Sequence, residues 1–537
     1  MGAALRVVGR HDTAGSAAPP TPRVQAPRGA VALARAAAAS LAAAALYTLA
    51  CPPHEWSLLA WLVPGLLLVA VGGLTTLRAL ACGALFGVAI GCGITGWAYH
   101  AALEYFAFNR ALTAGFVVAV WLVYSGVPHA LLCAAYAGLA ERVPGWARGP
   151  LGAWLWVVSE WLRSTLGTGM PWELLGHTQF RHLAVIQIAD LGGVYAVSFV
   201  MALASVSCAE LLGQGRAAAR PRPWWVGLAL PAAVLLATGL YGAYTRRLYA
   251  AAPAGRAVRT VAVVQGNIPN EFRWKRAFSE RMLATYARLS GAARRARPDV
   301  IVWPENAANF YLNREPMLLA ELAPVAALAR EGLLVGGPRL TDGGEARNAA
   351  YLIGPSGTII GTYDKQHLVP LAEYDPRRGP GAARAAEPVY TAGAEGQLLE
   401  TGATRIGAVI CYEVLFPRLV RELVRKGAEV LVNVSNDSWL DGGDGAAPRQ
   451  HFSMAVFRAI ETRRFLVRAA ATGVSGFVAP SGETYASLAP DTAGTSVARV
   501  GIRQGETVYV RWGERWIAPA GVLLALAVLL DGRRRAR

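Results

Sequence analysis

Ile406-Gly407-Ala408-Val409-Ile410-Cys411-Tyr412-Glu413 is an uncharged apolar run that ends abruptly on a thiol and a carboxylate. Followed by an amphipathic stretch at about 416–426, it predicts a buried strand feeding a helix. The pattern repeats on both sides. Short apolar runs at 260–265, 299–303, 333–336, 349–353, 358–362, 429–433 and 465–469 read as further strands, with helices at about 275–297 and 450–464. Such alternation predicts α/β layers, with ligand sites just beyond strand ends.

Three strand ends carry possible chemistry. Trp303-Pro304-Glu305 places a carboxylate after one strand, Tyr363-Asp364-Lys365 an ammonium after another, and Cys411 a thiol after a third. A thiol before a helix and beside a cation is expected to favour the thiolate. A carboxylate can take the thiol proton and later that of an incoming nucleophile. A lysine, with a backbone N–H beyond the thiol, can stabilise an oxyanion. Singly, Glu305 and Lys365 read as surface or ion-pair residues and Cys411 as an inert buried thiol; only their joint placement points to a site. Five of the six cysteines (Cys51, Cys82, Cys92, Cys133 and Cys208) lie in the apolar N-terminal half, so no disulfide framework can form around Cys411. No His/Cys spacing calls for a metal, no glycine-rich loop forms a phosphate cradle, and no cofactor is expected.

Outward from this polar segment the chain becomes a membrane sequence. Charged residues are only 16% of the whole, below the about 25% of soluble domains, so part of the chain must lie in lipid. Apolar runs at about 30–50, 56–73, 79–99, 112–140, 150–168, 185–212, 223–244 and 515–531 approach or exceed the roughly 20 residues of a membrane crossing. The poor lipobox-like match at Thr48-Leu49-Ala50-Cys51 favours a retained first anchor over a cleaved signal. Arginines gather in alternate connections, from Arg6 and Arg28 through Arg78, Arg142 and Arg216 to Arg533, while the opposite short loops hold Arg110 and Arg181. The positive-inside rule then puts both termini in the cytoplasm and the long polar segment outside.

The expected domains are a disordered cytoplasmic tail at 1–29, a seven-helix membrane domain at 30–245, an extracytoplasmic domain at 246–514, and a terminal helix with a basic tail at 515–537. The net charge of +17 sits beside apolar runs, which suits anionic lipid rather than nucleic acid. Glu160 and Arg163 read either as a helix-end pair or as a hold on a lipid headgroup. The polar and aromatic stretch around Pro171-Trp172-Glu173 and Gly176-His177-Thr178-Gln179 is placed to cap the site from the membrane side.

Trp303-Pro304-Glu305, Tyr363-Asp364-Lys365-Gln366-His367-Leu368-Val369-Pro370 and Ile410-Cys411-Tyr412-Glu413 resemble the Glu–Lys–Cys signature of the nitrilase (carbon-nitrogen hydrolase) superfamily. Val264-Gln265-Gly266-Asn267-Ile268-Pro269 and Ser435-Asn436-Asp437-Ser438-Trp439 resemble its membrane branch, the apolipoprotein N-acyltransferases. The resemblance covers about residues 30–531. It implies a nitrilase-like αββα sandwich on an eight-helix transmembrane bundle in a bacterial inner membrane. It makes Cys411 the nucleophile, Glu305 the general base and Lys365 the oxyanion partner. Glu373 matches a second essential carboxylate and Glu413 a supporting one. The Tyr412 amide completes the oxyanion hole, Trp274 flanks the lipid-access route, and Tyr374 neighbours Glu373. Trp439, His451 and Arg458 match structural supports. The sequence departs at Ala372, where the family usually has Gly before the second Glu.

The implied reaction moves an acyl chain from a phospholipid, typically phosphatidylethanolamine, onto Cys411 as a thioester. It then passes to the N-terminal amine of a diacylglyceryl-cysteine apolipoprotein, the work of a monomer. Two other readings stay open. A membrane-tethered amidase would share the thioester and differ in discharging it to water, though one anchor would suffice for it. A transporter with an external binding domain would show charges deep within several spans and repeated halves.

Overall fold

The computed structural model describes residues 28–106, 109–214, 224–249, 258–268, 276–374, 389–440 and 445–536. Helices come first: α1 (Arg28–Ala50), α2 (Val63–Val71), α3 (Thr76–Thr95), α4 (Trp97–Phe106), α5 (Arg110–Trp121), α6 (Val127–Leu139), α7 (Gly145–Thr165), α8 (Leu183–Ile186), α9 (Ala189–Gln214) and α10 (Trp224–Tyr249). A π turn at Leu122–Gly126 joins α5 to α6, so Arg110–Leu139 runs as one apolar rod of 30 residues. The rod lies close to α3 because the facing residues are small. A Cβ on Gly87 would stand 2.3 Å from the Ser125 carbonyl oxygen, which forbids any side chain there.

Among the described residues, six helices rather than eight are long and apolar enough to cross a bilayer. The expected span at 56–73 is a shorter apolar helix, Ser57–Val71. The one at 150–168 is α7, which carries Arg148, Glu160 and Arg163. Its polar face is turned into protein, where packing rather than lipid surrounds it.

The polar segment holds β1 (Val258–Gln265), β2 (Val300–Val302), β3 (Gly332–Leu340), β4 (Ala346–Ile353), β5 (Ile359–Asp364), β6 (Leu399–Glu400), β7 (Arg405–Ile410), β8 (Val430–Ser435), β9 (Leu466–Ala470), β10 (Ser475–Val478), β11 (Thr484–Leu488) and β12 (Gly494–Gly501). Its helices are α11 (Ser279–Gly291), α12 (Pro316–Ala326), α13 (Pro417–Arg425), α14 (Ala446–Thr462) and α15 (Val508–Trp512), before the apolar α16 (Ile517–Ala536). Two mixed six-stranded sheets form, in the orders β12-β1-β2-β3-β4-β5 and β11-β10-β9-β8-β7-β6. Each has a parallel centre, β1-β2-β3 or β7-β8-β9, flanked by antiparallel strands.

Strand periodicity builds the four layers. Val261, Val263, Val300 and Val302 face the second sheet and share a core with Ile406, Ala408, Val430 and Val432. Their neighbours Ala262, Val264, Ile301 and Trp303 face outward, packing with Leu283 and Tyr286 of α11 and Leu322 of α12. Successive side chains point to opposite faces, so a strand coated on both sides must be apolar throughout. This is the expected αββα sandwich. The helix expected at 275–297 is regular only over α11, and α12, α15, β6, β10, β11 and β12 were not anticipated.

The sandwich is keyed to the membrane helices by buried polar contacts. Arg463 reaches across to Asp190 Oδ2 at 2.9 and 2.6 Å and to Gln187 Oε1 at 2.7 Å. Trp516, ahead of α16, donates to the Gly192 carbonyl at 3.1 Å.

Candidate active site

The first sheet supplies the charges. Glu305 leaves β2 beside Gly336 of β3, where a Cβ would stand 2.5 Å from the Glu305 Cα; only a bare glycine admits the turn. The Glu305 carboxylate accepts from Asn348 Nδ2 at 2.7 Å and from the Asn436 amide at 2.9 Å. Lys365, just past β5, sets its Nζ 3.5 Å from Glu305 Oε1 and 2.9 Å from Glu373 Oε1. Glu373 rides a tight turn whose Val369 amide donates to its carboxylate at 2.7 Å, and Asn348 reaches it as well at 2.8 Å. All four side chains are buried. Burial alone would lower the Lys365 ammonium, but the carboxylates of Glu373 and then Glu305 hold it well above its ordinary value. It is a fixed cation.

Ala372 takes no penalty from its methyl group. The residue with positive φ in this turn is Leu371, at 64°, and Ala372 lies outside the left-handed region. Tyr374 closes the same turn, its carbonyl accepting from the Leu371 amide at 2.8 Å.

The second sheet supplies the thiol. Cys411 ends β7 with φ at 51°, a left-handed corner that turns the chain out of the sheet. A single 3₁₀ turn, Cys411–Leu415, follows it, and α13 begins only at Pro417. The expected helix-favoured thiolate is therefore corrected. Burial and then the Glu305 carboxylate push the thiol up to about 12 against the pull of Lys365. At neutral pH it is a thiol with a carboxylate at hand, rather than a thiolate.

Glu413 fastens the two sheets together. It accepts from the Ile410 amide at 2.7 Å, the Tyr363 hydroxyl at 2.9 Å, and the Gln366 and His367 amides at 2.6 and 3.1 Å. It thereby holds the Lys365 loop to the strand that ends in Cys411. Burial pushes its carboxyl up to about 7, opposed by those donors and Lys365. Behind Cys411 lies a second ionic group. Arg468 donates to Asp437 Oδ2 at 2.7 Å and to Asn433, and His451 sits 3.0 Å from Asp437 Oδ1 and 3.2 Å from the Cys411 carbonyl oxygen. Burial opposes ionisation of Asp437, yet Arg468 and His451 hold it well below the usual carboxylate range. Cys411, Asp437 and His451 bring their ligand atoms within 4.8 Å of one another, a metal-like composition, but the guanidinium of Arg468 already occupies the cation's role.

A cavity of about 260 Å³ opens from Cys411 towards the membrane helices. Trp97, Ala101, Phe116 and Val120 wall it from α4 and α5, and Met170, Trp172, Tyr412 and Trp439 wall it nearer the thiol. The 171–179 stretch thus sits over the site through Trp172, and Trp439 is a cavity wall rather than only a support. Tyr412 ties the two sides, its hydroxyl donating to the Gly169 carbonyl at 3.2 Å. Glu160 and Arg163 are buried and face neither lipid nor the cavity: Glu160 accepts from Trp156 at 3.0 Å and the Leu175 amide at 2.7 Å, and Arg163 donates to the Trp172 carbonyl. They brace the loop rather than a headgroup. Arg458 pairs with Glu461 at 2.9 Å, and Trp274 lies outside the described residues.

Glu305, Lys365, Glu373, Cys411, Tyr412 and Glu413 therefore converge. Sequence reasoning missed Asn348, Gln450 and Arg468. Arg468 was visible only as a lone polar residue within an apolar strand, Asn348 only as the polar residue before one, and Gln450 only as the amide beside His451.

Residues 260–507 match the carbon-nitrogen hydrolase family, and residues 43–207 match the apolipoprotein N-acyltransferase N-terminal domain. An apolipoprotein N-acyltransferase of Geobacter metallireducens is 38% identical over 90% of this chain and 93% of its own. Those of Pseudomonas paraeruginosa and Chromobacterium violaceum are 33% and 32% identical, over 92% and 76% of this chain and 95% and 80% of theirs. With both halves matched in order and one relative aligned along nearly its whole length, this chain belongs to the apolipoprotein N-acyltransferase family.

Proposed function

We propose that this enzyme moves an acyl chain from a phospholipid, through a Cys411 thioester, to the N-terminal amine of a diacylglyceryl-cysteine lipoprotein. Glu305 takes the Sγ proton as sulfur attacks the ester carbonyl. The oxyanion is met by Lys365 Nζ and the Tyr412 amide, and collapse expels the lysophospholipid alkoxide, which recovers the proton from Glu305. The lipoprotein amine then attacks the thioester. Glu305 accepts the ammonium proton and returns it to the departing sulfur, leaving an amide and the free thiol. Glu373 keeps Lys365 oriented, and Glu413 fixes its loop.

The single observation that carries this reading is the buried Cys411 thiol standing between a carboxylate–ammonium pair and an apolar cavity bounded by α4 and α5. A small-amide hydrolase has no use for such walls, which favours acyl transfer over the amidase reading. We propose phosphatidylethanolamine as donor, a monomer as the active form, and Trp274 and Tyr374 as neighbours of the lipid path. The proposed topology puts both termini in the cytoplasm, the catalytic domain at 246–514 outside, and eight crossings in all. Seven lie within the membrane domain at 30–245 and one at the C-terminus. This count adds the Ser57–Val71 segment and α7 to the six long apolar helices.

The test is a labelling experiment. Enzyme given acyl-labelled phospholipid without acceptor should hold label on Cys411, lose it in Cys411→Ala, and release it to a diacylglyceryl peptide. Label persisting in Cys411→Ala, or discharged by water as fast as by peptide, overturns the proposal.

A further inference from the structure

Gln450 lies at the first turn of α14, one residue before His451, and is fully buried between the sandwich and the membrane helices. Its carbonyl oxygen accepts two indole N–H groups, from Trp172 at 2.8 Å and Trp97 at 3.2 Å. Its amide nitrogen donates to the Ile94 and Pro52 carbonyls, both at 2.9 Å. Indoles only donate and backbone carbonyls only accept, so this partner set fixes which end of the amide is oxygen. All four hydrogen-bonding positions of the side chain are in use, and they reach three separate stretches of the membrane half, at Pro52, at Ile94–Trp97 and at Trp172.

The two indoles are walls of the cavity over Cys411. Their ring centroids lie 4.8 Å apart, Trp172 stacks on His451 at 5.7 Å, and Trp97 meets Trp439 edge-on at 6.4 Å. His451 in turn contacts the Cys411 carbonyl. One helical turn of the catalytic domain thus holds both the nucleophile's backbone and the aromatic walls supplied by the membrane half.

We infer that Gln450 is a positioning residue that aligns the Trp97–Trp172 wall with Cys411, so that a long acyl chain is presented with its carbonyl at the sulfur. The inference rests on the acyl-transfer reading of Cys411. Gln450 acts through the indoles and touches no reacting atom. Misplacing a bound chain by about an ångström can cost up to about a hundredfold in rate, whereas a short chain gains little from the wall.

The test compares thioester formation at Cys411 from phosphatidylethanolamines bearing 16-carbon and 6-carbon chains, in wild type and Gln450→Leu. The long-to-short rate ratio should fall about tenfold in Gln450→Leu. Trp172→Phe, which keeps a ring and removes the N–H, should lower it less. Adding Gln450→Leu to a Trp97→Phe/Trp172→Phe background should lower it no further, as expected for residues acting through one contact. An unchanged ratio in Gln450→Leu, or additive losses in the triple variant, overturns the inference. If Gln450→Leu does not fold, the ratio in the ring-conserving single variants decides: a fall sustains the inference and wild-type values overturn it. Cys411→Ala is run alongside, and label on it would instead break the thioester reading whatever the Gln450 variants do.

Discussion

Two buried ionic groups flank Cys411, and they are built to opposite ends. On one side a single ammonium, Lys365, is shared by two carboxylates, Glu305 and Glu373, with Asn348 bridging both. On the other a single guanidinium, Arg468, is matched to a single carboxylate, Asp437, with Asn433 and His451 closing the set. The first group carries one carboxylate beyond its cation, and its Glu305 is, after burial itself, the main influence that raises the thiol, against the pull of Lys365. The second is balanced and fully engaged, and it holds backbone rather than protons. The cations suit this division. Lysine is a compact charge that can attend a developing oxyanion, while the rigid fork of arginine suits a fixed scaffold. Burial alone therefore does not separate the two groups; the carboxylate in excess of the cation does.

The sharpest way to break the comparison is Glu305→Gln. Thioester formation should fall by about 10²–10⁴-fold, as for loss of a general base. Alkylation of Cys411 by iodoacetamide, followed on the isolated peptide, should instead speed up, because the carboxylate that raises the thiol is gone. If both rates fall together, Glu305 aids removal of the thiol proton in alkylation as well and does not hold that proton in place.

Arg468→Leu probes the balanced side. Leaving the Asp437 carboxylate buried without its cation should cost about 3–5 kcal/mol of stability, seen as earlier heat inactivation and lower recovery. Arg468→Leu with Asp437→Asn should regain part of that loss. A stable Arg468→Leu with impaired acylation would put Arg468 among the chemical groups.

The last test is a titration. With the thiol at about 12, alkylation of wild-type Cys411 should climb about tenfold per pH unit from pH 7 to 10 without levelling, since thiolate forms only as pH rises. A plateau near pH 8 would mean a thiolate at rest and would erase the contrast between the two sides.

The sequence by itself determined the positions of eight of the twelve strands, the six long apolar helices and the strand-end positions of Glu305, Lys365 and Cys411. These are local properties: a run of apolar residues stops, and the polar residue at the stop must sit at the edge of a layer. It did not reveal β10 to β12, whose short Gly-, Ser- and Thr-containing segments carry little hydrophobic pattern and are strands because a sheet edge is beside them. Nor could it show that Glu160 and Arg163 are enclosed, or that Asn348, Arg468 and Gln450 face the site. Their partners lie across a sheet stack or across the boundary with the membrane helices, at distances in sequence no period encodes. The protonation of Cys411 belongs here too. A thiolate follows from its neighbours in sequence, but the tertiary structure buries the sulfur, sets a 3₁₀ turn between it and α13 and brings Glu305 near it, and desolvation with a nearby negative charge outweighs Lys365.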